Sequence, residues 1–322
     1  MLSTSSKVIV VAALLALCSP AYSQQIGPSP TEPAGPVVKL SLIVVDSNNQ
    51  SVEGIKKEEI RVVEDKMEQS IVNVERDNRP IDIVIAIDAS GSFKELLPYA
   101  SEAAKLIINN RRPTDEVLIL KFSSSDQINA IQDFTTNTEA LINSLALLRP
   151  QAGQSAVIDA IYVAADHLVK HNSGQDRRKA LVIITDGEDR NSFYKLDQLL
   201  MMLREKGVQV FALAMTTKLD KEGGLIRMSP RDKAENFLKS LASETGGRVF
   251  FSKTPLELGN ATEELLRGLS RSSLVTYRSS NNSSKTGFRK VDVRMVSGSN
   301  RKPVVARGYF FTPDRGLGNK KQ

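Results

Sequence analysis

Three regimes of apolar patterning follow one another along the chain. Between residues 37 and 77, short β-branched runs at 38–45, 60–63 and 71–74 are separated by polar turns at 46–50 and near Asp65 and Lys66, which predicts three short strands. From Ile81 the rhythm changes. The run from Ile81 to Ile87 is nearly unbroken in its apolar character, as expected of a strand buried on both faces, and apolar residues at helical spacing follow over 93–110. The same alternation predicts strands at 117–122, 180–185, 208–214 and 248–251, with a short edge strand at 128–134. Helices are expected at 138–148, 156–169, 196–206, 233–244 and 256–270, the third of them stopped by Gly207. After Ser272 strand character returns at 274–278, 290–296 and 304–311.

Repeated strand, helix, strand units imply an α/β fold with a doubly wound, mostly parallel, Rossmann-like sheet. The flanking strands are too few on either side to bury their own edges, so they are expected to pair with each other. The resulting architecture is an α/β domain at 80–272 inserted in a smaller all-β, sandwich-like domain built from 37–79 and 273–313.

Composition adds the compartment. Lys7 precedes an apolar run from Val8 to Leu17 that is too short to span a bilayer, and Ala21, Tyr22 and Ser23 offer a cleavage site. Residues 1–23 thus read as a signal peptide, 24–36 as a proline-rich tether and 314–322 as a flexible tail, which places the protein outside the cytoplasm, secreted or in the cell envelope. The only cysteine, Cys18, could instead mark a lipoprotein signal. Leu17 stands where such signals carry a small residue, so a lipid anchor at Cys18 is not the expected outcome. No later segment is apolar enough for a transmembrane span. The net charge of +6 is spread along the chain without a basic patch interleaved with aromatics, which argues against nucleic acid as a partner.

Candidate chemistry gathers at the ends of predicted strands, where open α/β sheets place their ligands. Asp88, Ser90 and Ser92 follow the strand that begins at Ile81, Ser155 follows Gly153, and Asp186 lies between Thr185 and Gly187. Carboxylates and hydroxyls are hard oxygen donors, suited to Mg²⁺ rather than to a soft metal. These three stretches, in order and spacing, resemble the von Willebrand factor A domain and its metal-ion-dependent adhesion site over roughly 80–272. The flanks, with Lys57, Ile60, Val62, Glu64 and Asp65 before and Arg307, Gly308 and Tyr309 after, resemble a secreted bacterial family of the Acidobacteria type that carries this domain.

The resemblance implies a cation, Mg²⁺ or Mn²⁺, bound directly by Ser90 and Ser92. Asp88, Ser155 and Asp186 would bind it directly or through water, with a serine at 155 in place of the usual threonine. It also implies adhesion to a protein partner that presents an Asp or Glu carboxylate. The alternative is an envelope scaffold whose metal is structural and whose interface lies on the β domain.

Enzymatic readings lack their residues. Ser90 stands where a phosphoryl-transferring Asp-x-Asp motif needs its second acid, no histidine is near the serines in sequence, and no Gly-x-x-x-x-Gly-Lys-Ser/Thr loop is present. Asp159 is read either as support behind the site or as a favourable charge near a helix N-terminus. His167 and His171 are expected to be exposed near a helix C-terminus. Lys218, Lys221, Arg227 and Arg231 are expected in a long loop at 216–231 on the metal side of the sheet.

Overall fold

Strands from the two ends of the chain find each other. In the computed structural model, which describes residues 35–171, 176–220, 222, 228–296 and 298–313, β1 (Val37–Val45), β2 (Ser51–Val52), β3 (Ile60–Glu64), β4 (Met67–Gln69) and β5 (Ile71–Arg76) precede the α/β part. The expected signal peptide, most of the tether and the tail lie outside the described residues.

The α/β part is built from six strands and six helices among the described residues. The strands are β6 (Ile81–Asp88), β7 (Glu116–Phe122), β8 (Ile128–Thr135), β9 (Arg178–Thr185), β10 (Val208–Ala214) and β11 (Val249–Phe251). The helices are α1 (Leu97–Asn110), α2 (Thr138–Leu145), α3 (Val157–Lys170), α4 (Leu196–Lys206), α5 (Pro230–Thr245) and α6 (Pro255–Ser270). After it come β12 (Ser273–Arg278), β13 (Gly287–Met295), β14 (Lys302–Val304) and β15 (Gly308–Phe311).

The central sheet has the order β11-β10-β9-β6-β7-β8, parallel except for β8, which runs antiparallel along one edge. Every residue of β6 is buried, and its side chains divide by parity. Ile81, Ile83, Ile85 and Ile87 enter a core with α1, α2 and α6, while Val84 and Ala86 enter a second core with α3, α4 and α5. Helices on both faces make the sheet doubly wound, as its apolar runs imply.

Two helix starts differ from the pattern. Residues 93–96 form turns, with Leu97 N donating to Phe93 O (3.0 Å), so α1 begins later than the apolar spacing suggests. The helix expected at 233–244 begins at Pro230, because Ser229 caps it by accepting from Asp232 N and proline is pre-set for a first helical turn.

The terminal strands form two antiparallel sheets, β14-β1-β12-β5 with β2 on β1, and β15-β13-β3-β4. Their facing sides enclose a core of Leu40, Leu42, Ile60, Val62, Val275, Tyr277 and neighbours. The other face of β1 sends Ile43 and Val45 into the α/β core beside Leu265 and Leu269, so one strand closes two cores.

The run at 304–311, expected as a single strand, is instead two. β14 pairs with β1 and β15 with β13, and the chain crosses between the sheets at Ala306, which bridges Thr245. One continuous strand could not serve both ladders. Gly308 permits the approach, since a Cβ there would lie 2.2 Å from the carbonyl oxygen of Arg289.

Buried Glu64 ties the two sheets together. It accepts hydrogen bonds from Tyr277 Oη (2.6 Å), Ser279 Oγ (2.6 Å) and Tyr309 Oη (3.1 Å), with Arg289 at 3.4 Å. Burial and this carboxylate push the Tyr309 phenol up to about 12 and Tyr277 higher still, so both remain donors.

Candidate metal centre

Parallel pairing of β6 with β9 sets Ile87 beside Ile184, which brings Asp88 and Thr185 to the same level at the carboxyl edge of the sheet. Asp88 is fully buried there. Its Oδ1 accepts from Ser90 N (2.9 Å) and its Oδ2 from Ser155 Oγ (3.2 Å) and Thr185 Oγ1 (2.8 Å). Ser90 Oγ and Ser92 Oγ stand 3.2 Å apart, and Ser92 Oγ donates to Asp186 Oδ2 over 3.4 Å. All five residues singled out in the sequence, Asp88, Ser90, Ser92, Ser155 and Asp186, therefore meet in one chain of polar contacts. Ser92 is exposed, so the cluster opens to solvent.

Backbone bonds hold the three loops together. Gln151 N donates to Ala89 O (2.7 Å) and Arg190 N to Ser155 O (2.8 Å). The loop at Ser155 is thus fastened through its main chain, whatever the missing threonine methyl would have added. Gly187 turns the chain at φ +79°, where a Cβ would lie 2.7 Å from Leu238 Cδ1, so both conformation and space require glycine.

The charges of the cluster are unbalanced. Burial raises the Asp88 carboxyl above the ordinary range even though four hydrogen-bonding contributions favour its ionised form. Burial, reinforced by the Asp88 charge, pushes the Asp186 carboxyl up to about 6. Neither acid has an ion pair with a cationic side chain among the described residues. Two buried carboxylates and three hydroxyls converging from three loops are a donor set that fits a hard divalent cation, which would supply the missing positive charge.

Thr185 escaped the sequence reading as a contributor. Its hydroxyl donates to Asp88 and accepts from Gly187 N (3.0 Å), holding the carboxylate in place. The available signal was a hydroxyl at the last position of a second apolar, largely buried strand, but only the pairing of β9 with β6 shows which acid it meets.

Asp159 is a brace rather than a simple dipole charge. Buried in the first turn of α3, it accepts from Ser125 Oγ (2.6 Å), Phe193 N (2.8 Å) and Tyr194 N (2.9 Å), and so fixes the loop that follows Asp186. From the same loop, Asp189 Oδ1 accepts from Ile158 N (3.0 Å) and Ser192 Oγ from Asp159 N (3.2 Å), which caps α3 from outside its own sequence.

Of the four basic residues expected beside the site, Lys218 forms an ion pair with Glu95, in the segment following Ser92. Arg231 lies in the first turn of α5 and donates to the carbonyls of Thr217 and Leu219, which makes it a loop fastener. Lys221 and Arg227 fall outside the described residues.

The histidines differ from expectation, since both are half-buried. His171 stacks on Phe134 (4.0 Å between centroids) and stands 3.1 Å from Glu116 and 3.9 Å from Asp82, at the opposite end of the sheet from Asp88. These three side chains could surround a metal, but Arg177 already donates to Asp82 at 2.5 Å and stands 3.7 Å from Glu116, which makes the group an ion-pair cluster.

No helix among the described residues is long and apolar enough to cross a membrane. Comparison with curated protein sequences returns no match. Among solved structures, the chain is similar to an aerotolerance-related membrane protein from Bacteroides fragilis, with 18% identity, a TM-score of 0.47, and coverage of 59% of this chain and 98% of that one. BatB from Bacteroides thetaiotaomicron shows 18% identity and a TM-score of 0.46 at the same coverage. Proximal thread matrix protein 1 from the mussel byssus shows 15% identity and a TM-score of 0.48, covering 64% of this chain and 51% of that one. The family model of the von Willebrand factor type A domain matches residues 82–264, more than half of the chain, and the chain belongs to that family.

Proposed function

We propose that this protein is an extracytoplasmic, divalent-cation-dependent protein-binding module and not an enzyme. Domains of its family generally mediate protein–protein interaction. Mg²⁺ or Mn²⁺ would be held by Asp88, Ser90, Ser92, Ser155 and Asp186, and the partner would contribute an Asp or Glu carboxylate. The observation that carries this reading is the pair of buried acids, Asp88 and Asp186, surrounded by hydroxyls at a solvent-facing edge and, among the described residues, without an ion pair to a cationic side chain.

When bound, the cation supplies positive charge and an open coordination position. The protein's own residues orient the ligands: Thr185 and Ser155 aim the Asp88 carboxylate, and Asp159 holds the loop beyond Asp186. The carboxylate that meets Ser92, that of Asp186, would be engaged by the cation rather than free to act as a base, which supports binding over hydrolysis. The extracytoplasmic location rests on the sequence of residues 1–23, ordinary cleavage being expected rather than a lipid anchor at Cys18.

Calorimetry with Mg²⁺ on wild type and Asp88→Ala tests the metal; equal binding by the two would refute it. Affinity purification of the mature chain from its own envelope fraction, with Mg²⁺ and then with chelator, tests the partner. Binding should be lost in chelator.

One observation favours the scaffold alternative, in which the interface lies on the β domain. Met67 and Val72, on edge strands β4 and β5, are exposed apolar residues. Ser155→Lys discriminates the two readings, since it should abolish partner binding through the metal and spare binding through the β domain.

A further inference from the structure

The amino ends of β9 and β10 form a second polar region, far from Asp88 along the strands. A crevice of about 220 Å³ opens there between the sheet, the turn from α4 to β10 and strand β1. Lys39, Arg79, Arg177, Arg178, Lys179 and Arg204 line it against one carboxylate, that of Glu244.

Several of these cations have acid partners that are not part of the crevice wall. Asp77 accepts from Arg79 at 2.8 Å and stands 3.6 Å from Arg178, Asp176 accepts from Lys39 at 2.9 Å, and Asp82 accepts from Arg177 at 2.5 Å. Arg204 is paired with Glu244 through one amino group, and donor capacity is left over after this pairing. The Lys179 ammonium has no partner among the described residues. The Nε atoms of Arg178 and Arg204 are both buried without a hydrogen-bond acceptor among the described residues, that of Arg178 standing 3.6 Å from Asp77. Buried donors without acceptors are costly and uncommon in folded proteins, and two of them beside a half-buried, unpartnered ammonium make this crevice a place where an acceptor from outside would be stabilised. Burial, with Arg79 and Arg112 nearby, pushes the Arg178 guanidinium down to about 10 against the opposing pull of Asp77.

We propose that this crevice binds a phosphate or sulphate group, free or carried on a small molecule, through Lys179 and Arg204, with the Arg178 charge behind them. A tetrahedral oxyanion offers acceptors in several directions at once and matches guanidinium donors well. The crevice is larger than such an ion, which leaves room for a small organic carrier. This site shares no residue with the proposed metal centre and does not depend on it.

Titration calorimetry on the full chain tests the proposal. It is run at low ionic strength in buffer freed of divalent cations, so that phosphate cannot act through a metal, with inorganic phosphate, sulphate, a hexose phosphate and acetate as probes. Phosphate or sulphate should bind more tightly than acetate. Lys179→Gln and Arg204→Gln should each weaken binding about tenfold or more, while Asp88→Ala leaves it unchanged. Tighter binding of the hexose phosphate would identify a carried group, and equal binding a free ion; both support the site. No heat with any probe, acetate binding as well as phosphate, or unchanged affinity in both Gln variants would overturn it. Either variant alone suffices if the other does not fold.

Discussion

The two ends of the central sheet bury acids and treat them in opposite ways. At the amino end, Asp77 lies against Arg79 and Arg178, and Asp82 against Arg177. At the carboxyl end, Asp88 and Asp186 receive hydroxyls and backbone N–H groups but, among the described residues, no ion pair from a cationic side chain. The consequence is visible in their protonation. Burial opposes ionisation of Asp77, yet Arg79, Arg178 and Ser41 together hold its carboxyl below the ordinary range, whereas Asp186 is pushed up to about 6. Asp82 is intermediate, raised by burial although Arg177 donates to it. The amino end pairs its buried acids internally and gains structure; the carboxyl end leaves an electrostatic need that an added cation can meet.

The largest expected effect breaks the paired end. Arg178→Ala removes a buried cation and strands Asp77 with one partner fewer, which should destabilise the protein by about 3–5 kcal/mol in urea unfolding, with or without Mg²⁺. A loss below about 1 kcal/mol would mean that Arg79 alone balances Asp77.

The unpaired end should respond to pH with the opposite sign from ordinary acid denaturation. Folded Asp186 keeps its proton up to about 6, while the unfolded residue loses it near 3.8, so between these values the folded state binds more protons. Stability of the metal-free protein should fall as pH rises through this window, by about 3 kcal/mol from this residue. Asp186→Asn should flatten that slope in thermal unfolding. An unchanged slope in the variant would remove Asp186 as its cause.

Mg²⁺ should then restore what ionisation costs. At a hundredfold excess over its dissociation constant it should stabilise wild type by about 2.7 kcal/mol and leave Asp88→Ala unaffected. In the metal-free variant the loss of an unpaired buried charge offsets the loss of the hydrogen bonds from Ser90, Ser155 and Thr185, so its stability should stay close to wild type. The same stabilisation by Mg²⁺ in the variant would place the cation elsewhere.

The smallest effect sharpens the role of Thr185. Thr185→Val removes the hydroxyl bond to Asp88 and should weaken Mg²⁺ binding by about tenfold, with about 1 kcal/mol lost from the metal-free protein. Unaltered affinity in calorimetry would assign the hydroxyl to folding alone.

Periodicity and residue chemistry in the sequence determined a good deal. The apolar run of β6, the limits of α4 and β10, and the three loops bearing Asp88, Ser155 and Asp186 are all legible there, because strand and helix periods are local properties of the chain. The start of α5 was legible too, in Ser229, Pro230 and Asp232, although apolar spacing alone pointed to a later residue.

Pairing and countercharge were decided only in three dimensions. Period tells that a face is buried but not against what, so nothing local shows that β1 closes two cores or that residues 304–311 divide between two sheets. Nor does it show that Thr185 reaches Asp88, or that Arg178 approaches Asp77 while, among the described residues, no arginine forms an ion pair with Asp186. Those contacts join residues some hundred positions apart through strand order and register, and a buried charge is satisfied or left wanting by whatever neighbours that register supplies.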